Sequence, residues 1–271
     1  MNIVKAHAFG NDFLLVEESE LTAALDRPAL ARELCDRHRG IGADGLITYS
    51  SGPRGAHMNL LNADGSYSEL SGNGVRCLAA WLARARSMRR GDSVEIETDA
   101  GLKWLELVSE DGRRLTFRAA MGQPEQVEQR TIDVDGVPVS AVTLRVGNPQ
   151  CVVLGEVTEE RLHRVAAKLA VHPVFPQGTN VELAAVERPD LVRILIWERG
   201  VGPTRASGTG ACAAAVAAMT FGGASRVVEV ASPGGTQRVQ WTDRGLFLTG
   251  WAEVLLDGRW ISPPAPGRTL P

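Results

Sequence analysis

Two short stretches of this sequence carry residues that could do chemistry. Residues 68–81 read SELSGNGVRCLAAW and residues 205–219 read RASGTGACAAAVAAM. Each sets a serine, Ser71 or Ser207, before a Gly-x-Gly turn and then runs into an alanine-rich helix. Glycine lets the backbone approach a ligand closely, and the free N–H groups of a helix's first turn point at whatever sits there. Such a turn binds an anion, phosphate or carboxylate. Neither copy has the lysine of a Walker loop, and neither completes a G-x-G-x-x-G dinucleotide fingerprint. Two facing helix starts suit a small zwitterion better than a nucleotide. Taken singly, each could be no more than a tight turn with an N-capping serine, but that leaves the repetition unexplained.

Further polar clusters stand where strands should end: GND at 10–12, NADGS at 62–66, GNPQ at 147–150, GTN at 178–180 and WERG at 197–200. Asn11, Asn62, Asn148 and Asn180 both donate and accept hydrogen bonds, and Arg199 offers a fork suited to a carboxylate. Any one of these asparagines is an ordinary turn former. Several of them beside two anion-binding turns point to an amino-acid pocket.

The elements that must position these residues come in two rounds. In the first half NIVKAHA, DFLLVEE, GLITYSS, HMNLLNA, SVEIET, LKWLELV and RLTFRAA read as strands. One helix is expected over about 28–38, from Pro28 to a stop at Gly40, and a second just after Ser71. The second half repeats the order with AVTLRV, QCVVLG, a helix from about Thr158 to Ala170, NVELAAV, LVRILIW, the second Gly-turn helix, and closing strands RVVEVA, TQRVQW, LFLTGW and AEVLL. A duplicated unit explains this most simply. The expected fold class is α+β, with two pseudo-symmetric domains over 1–125 and 126–262, a return of the last strands to the first half left open, and a tail at 263–271. Helices apolar on nearly every face belong inside. Each half is therefore expected to roll a mostly antiparallel sheet around its own central helix, leaving the site in the cleft between them. The crossover is expected in the polar stretch near 120–140.

Composition narrows the function classes. With 271 residues, 44% hydrophobic, the chain is long enough for one large core or two medium ones. A net charge of −3 gives no basic field to track a phosphate backbone, so nucleic acid is not an expected partner. No apolar run is long enough to span a bilayer, and no secretory leader is evident at the start, so a cytoplasmic location without membrane partners is expected. The cysteines, Cys35, Cys77, Cys151 and Cys212, form no C-x-x-C pair, so no disulfide framework and no metal site are expected. A homodimer remains compatible with these features.

In these residues the sequence resembles the diaminopimelate epimerase family. The likeness runs from KAHAFGNDF through HRGIGADGL, NADGS, SGNGVRC, VGNPQCVV and WERG to SGTGACA and the late PGG. It implies two pseudo-symmetric domains, each a sheet rolled around a helix. It also implies cofactor-independent epimerisation at the Cα of LL- and meso-diaminopimelate, a step of lysine and peptidoglycan synthesis. In the family two cysteines, each before a G-x-G turn, work on opposite faces of that carbon. Those positions hold Ser71 and Ser207 here, while Cys77 and Cys212 match the family's non-catalytic cysteines further into each helix. Gln150 replaces a histidine that assists the acid–base chemistry, and Glu198, its companion across the site, is kept. The resemblance assigns substrate binding to Asn11, Asn62, Asn148, Asn180 and Arg199, with Gly72, Asn73, Gly208 and Thr209 as the backbone cradle.

A hydroxyl is a poor substitute for these thiols. A thiol's ordinary pKa of ~8.5 lets a helix terminus make it a base near neutrality, whereas serine must lose its proton to a neighbouring base during the reaction. Recognition is therefore expected to survive with the chemistry slowed. The alternatives are a related amino-acid racemase or dehydratase, or a catalytically silent amino-acid-binding protein.

Overall fold

A computed structural model describes residues 1–261. The tail expected over 263–271, and residue 262, lie outside them. In the first half the chain runs β1 (Asn2–Ala8), β2 (Asn11–Glu17), a 3₁₀ turn (Glu18–Glu20), α1 (Arg27–Cys35), β3 (Gly45–Gly52), β4 (Gly55–Asn62), β5 (Tyr67–Ser68), α2 (Gly72–Ala85), β6 (Ser93–Thr98), β7 (Gly101–Asp111) and β8 (Arg114–Gly122). The second half continues with β9 (Glu125–Val134), β10 (Val137–Val146) and β11 (Asn148–Leu154). Three short helical pieces follow: α3 (Glu159–Arg161), a π-helical turn (Leu162–Ala166) and α4 (Ala167–Ala170). Then come β12 (Asn180–Arg188), β13 (Leu191–Glu198), β14 (Gly202–Thr204), α5 (Gly208–Phe221), β15 (Val227–Ser232), β16 (Gly235–Thr242) and β17 (Gly245–Arg259).

Strand pairing carries the duplication. β1–β2 is antiparallel, β2–β3 parallel, β3–β4 antiparallel and β4–β6 parallel, with β6–β7 and β7–β8 antiparallel. The same alternation recurs in β10–β11, β11–β12, β12–β13, β13–β15, β15–β16 and β16–β17. β17 belongs to both halves: Leu246–Thr249 lie between β16 and β8, and Glu253–Arg259 pair with β1. It thereby closes β1, β2, β3, β4, β6, β7 and β8 into a ring around α2. In the second half β9 to β13 and β15 to β17 curl around α5.

The two central helices are apolar because they have nowhere else to point. Val75, Leu78 and Leu82 of α2 pack among Leu15, Ile47 and Phe117, and every residue of α5 from Gly208 to Ala218 is buried. Small side chains on α5 let the surrounding strands approach closely on all sides, the environment expected of an all-round apolar helix.

Three expectations need correction. The stretch near 120–140 is mostly strand, and the connection between halves shrinks to Gln123–Pro124, because β9 pairs along its length with β10. LFLTGW and AEVLL form one strand, with no turn-forming residue between Trp251 and Ala252. The first helix stops at Cys35, where Asp36 takes an extended conformation and its carboxylate accepts the His38 and Arg39 amides at 2.8 Å. The late PGG has a packing reason: a side chain on Gly234 would meet the Phe9 carbonyl oxygen at 2.4 Å, so only glycine admits the first half's AFGND turn here. Among the described residues no helix is long and apolar enough to cross a membrane.

Candidate active site

The pairing pattern gathers the polar strand ends along one edge of each sheet. β2 and β3 run parallel, so Asn11 and Gly45 start together, and β4 returns to place Asn62 opposite Gly45. In the second half Gln150 of β11 pairs with Asn180 of β12, and β13 returns to end at Glu198. Both central helices begin at these edges. A methyl group on Gly72 would stand 3.5 Å from the Cα of Gly208, so the two helix starts are in contact.

Each serine caps its helix. Ser71 Oγ accepts the Gly74 amide at 3.1 Å, and Ser207 Oγ accepts the Gly210 amide at 3.2 Å. Among the described residues the N–H groups of Gly72, Asn73, Gly208 and Thr209 find no backbone or side-chain acceptor. Four unsatisfied donors at two abutting helix N-termini form a seat for an anion. Ser207 is buried, 3.5 Å from Thr209 Oγ1, and its hydroxyl acts on the Glu198 carboxyl to lower that group's pKa. Ser71 is half-buried.

Asn73 ties the helix starts to the first half's strand ends, donating to Asn11 Oδ1 and to the Ala206 carbonyl, each at 3.2 Å. Asn11 donates in turn to Asp44 Oδ2 at 2.7 Å. Asp44 is held by Arg37 at 2.8 Å, and Arg37 also pairs with Asp12 at 2.8 Å, as does Lys5 at 3.0 Å. Burial works to raise the Asp12 pKa, but Arg37 and Lys5 outweigh it and hold the carboxyl below the usual range. The side chain of Asn62 stays within its own turn, donating to Ser66 Oγ at 2.9 Å, and the next amide, Ala63, reaches the Asp44 carbonyl at 3.0 Å.

On the other side, Asn180 Oδ1 accepts the Arg199 amide at 2.9 Å, and the Arg199 guanidinium folds over Gly178 to the Gln177 carbonyl at 3.0 Å. Gln150 donates to Asn148 Oδ1 at 2.5 Å, while its own Oε1 is buried without a partner. Burial raises the Glu198 pKa to about 7, against the lowering effect of the Ser207 hydroxyl and with a further upward push from Asp44.

Sequence reasoning missed Asp44, Arg76, Glu182 and Gln237. Glu182 is fully buried, both its oxygens lack partners, and a side chain on Gly210 would meet its Oε1 at 2.5 Å, so the carboxyl lies against the first turn of α5. Burial, then Glu198, pushes its pKa well above the usual carboxylate range. A group whose pKa is raised by folding contributes stability at low pH that is lost as pH climbs through the folded value. Glu182→Gln, which cannot ionise, should thus match the parent's thermal midpoint at pH 5 and exceed it at pH 9. An unchanged gap between the two proteins across that range would show that Glu182 does not titrate there. Cys77 and Cys212 are fully buried, Cys212 with its pKa raised to about 12 and Cys77 higher still, so neither thiol is a ready substitute for a serine.

The fold, two halves with paired helix starts, defines a structural class found in solved structures. A predicted epimerase from Pseudomonas aeruginosa superimposes with a TM-score of 0.72 at 18% identity, covering 97% of this chain and 99% of that one. A probable proline racemase from Agrobacterium radiobacter gives 0.72 at 16%, covering 98% and 94%. The sequence goes further. The family model for diaminopimelate epimerase matches residues 3–127 and 142–255, and the chain belongs to that family. It is 40% identical to the diaminopimelate epimerase of Desulforudis audaxviator, over 96% of this chain and 99% of the relative. With that of Pelotomaculum thermopropionicum it shares 37% over the same fractions.

Proposed function

We propose that this protein is a diaminopimelate epimerase that inverts Cα of LL- and meso-diaminopimelate without a cofactor, and that Ser71 and Ser207 occupy the two proton-transfer positions. The observation that carries the reading is the contact between two serine-capped helix starts whose four N–H groups lack acceptors. A reacting α-carboxylate fits that seat, which leaves its Cα beside the capping residues. Residues 1–125 supply Ser71 and Asn11, and residues 126–262 supply Ser207, Glu198 and Arg199. Glu198 is the base for Ser207, whose hydroxyl acts on its carboxyl. Asn62, Asn148, Asn180 and Arg199 frame the distal end of the substrate, Gly72, Asn73, Gly208 and Thr209 cradle the carboxylate, and Gln150 stands at the acid–base position beside Glu198. The reading includes a cytoplasmic location, a homodimer as the assembly to test, and no nucleic-acid partner.

A second reading, an amino-acid-binding protein, draws on one observation. Both serine oxygens already accept a helix amide, which leaves them shaped as caps. Calorimetry and Cα deuterium exchange together separate the two. Under the epimerase reading meso-diaminopimelate binds far better than alanine at millimolar concentration and its Cα protons exchange with solvent. Tight binding without exchange favours the binding protein. Binding no better than alanine's removes the substrate assignment.

A further inference from the structure

Arg76 carries a buried charge with no counter-charge beside it. Its Nη2 donates to Asn73 Oδ1, and to Gln237 Oε1 at 2.8 Å, while Nε and Nη1 have no partner among the described residues. The face of Phe9 lies 5.5 Å away. Burial lowers its pKa to about 10, and the ionisable groups acting on it are the thiols of Cys77 and Cys212, not carboxylates. The guanidinium therefore remains cationic at neutral pH. A buried cation without an anion is costly, and a native fold that keeps an unsatisfied buried group calls for an explanation.

Position supplies the explanation. Arg76 Nη1 stands 3.9 Å from where a methyl group on Gly208 would be, directly behind the contact between α2 and α5. Its two acceptors lead to both turns. Asn73 continues to Asn11 and the Ala206 carbonyl, and Gln237 donates to the Ser207 carbonyl at 3.3 Å. Two helix N-termini and one guanidinium thus place three positive features around a single point.

We propose that Arg76 is a positioning residue that supplies, from behind both Gly-turns, the positive charge holding the substrate's reacting carboxylate and the negative charge that develops as its Cα loses a proton. The inference rests on the epimerase reading. Arg76 is 1% exposed, so it acts through its field and through Asn73 and Gln237, not by touching the ligand. Negative charge grows toward the transition state, so a fixed cation in a dry site contributes more to turnover than to ground-state binding.

The test compares the parent, Arg76→Met and Arg76→Lys by Cα deuterium exchange. The substrates are meso-diaminopimelate and its derivative with the reacting carboxylate converted to a carboxamide. Arg76→Met should lower kcat on the diacid by about 10²-fold or more, the scale of losing one preorganised electrostatic group, with a smaller change in KM. On the carboxamide, which carries no ground-state charge but still develops one as Cα is deprotonated, the effect on KM should vanish while a loss in kcat persists. A fully buried lysine loses its charge more readily than arginine; among the described residues Asn73, Gln237, the Phe9 ring and the two thiols face it, and Lys103, another cation, lines the adjoining cavity. The Arg76→Lys rate, expressed relative to the parent, should therefore fall as pH rises. That ratio decides the matter if Arg76→Met does not fold. An unchanged kcat on both substrates, a pH-independent ratio, or failure of both variants to fold would make Arg76 a purely structural tie and overturn the proposal. If the parent itself neither binds nor exchanges meso-diaminopimelate, the epimerase reading falls instead.

Discussion

Changing Ser71 and Ser207 together to cysteine is expected to raise Cα deuterium exchange of diaminopimelate by at least about 10²-fold, the lower end of what a positioned acid–base group supplies. Each serine oxygen lies at a helix N-terminus and accepts an amide, from Gly74 or Gly210. A thiolate placed there would accept the same N–H and feel the same dipole, both of which favour its charged form. Burial opposes this at Ser207, as it does at Cys212 deeper in the helix. The dipole is strongest in the first turn, so Ser207→Cys is expected to be the more reactive thiol of α5. Either single change should do much less, since inversion needs an acid and a base on opposite faces and such pairs act as a unit. Gln150→His should add to the double variant and not to the parent. Cysteine is the weaker helix cap, so the double variant should also lose roughly 1 kcal/mol per site in stability. If the parent already turns over at an ordinary enzyme rate of about 1–10³ per second, another base activates the serines. A double variant that binds ligand yet exchanges no proton would favour the binding-protein reading.

The duplication was legible because the order of strands around a Gly-turn helix is written twice in chain order. What joins the halves was harder to read. β9, EQVEQRTIDV, is polar nearly throughout, and of its residues only Ile132 and Val134 are buried, so no alternating apolar pattern marks it. One signal was present: the turn to β10 carries Asp135-Gly136, with φ of 54° and 80°, the left-handed pair that an Asp-Gly hairpin demands. For β17 the sequence left open a return to the first half, but its pairing with β16 of one half and with β8 and β1 of the other is encoded by nothing local.

At the site, residues in glycine-bearing turns could be named in advance because turn chemistry is local. Arg76 and Glu182 stand inside apolar runs, GVRCLAAW and NVELAAV, where a lone charge is itself a signal. Their meaning depends on contacts from far along the chain. Gln237, which receives Arg76, is 161 residues away. Asp44 sits within the HRGIGADGL motif, yet its work on Asn11 is set by the parallel register of β2 and β3.

Glu198→Gln should lower exchange by about 10²–10⁴-fold, the loss of one general base, and should also flatten its pH dependence. In the parent, burial raises the Glu198 pKa to about 7 against the lowering effect of the Ser207 hydroxyl. The carboxylate form is the one that can take the serine proton. The parent rate should therefore climb about tenfold per pH unit below 7 and level above it. Burial and the ionised Glu198 both oppose the ionisation of Glu182. Stability should move the other way in the same window. A carboxyl whose folded pKa is raised contributes stability below its unfolded value and loses it as pH rises through the folded one, so the ionisation that switches the base on also weakens the fold. Thermal midpoints of Glu198→Gln should accordingly fall less than the parent's between pH 5 and pH 8. Rate profiles and melting curves taken on the same two proteins thus report one titration twice. A parent whose rate rises near pH 7 while Glu198→Gln keeps both that rise and that rate would assign the base to another group.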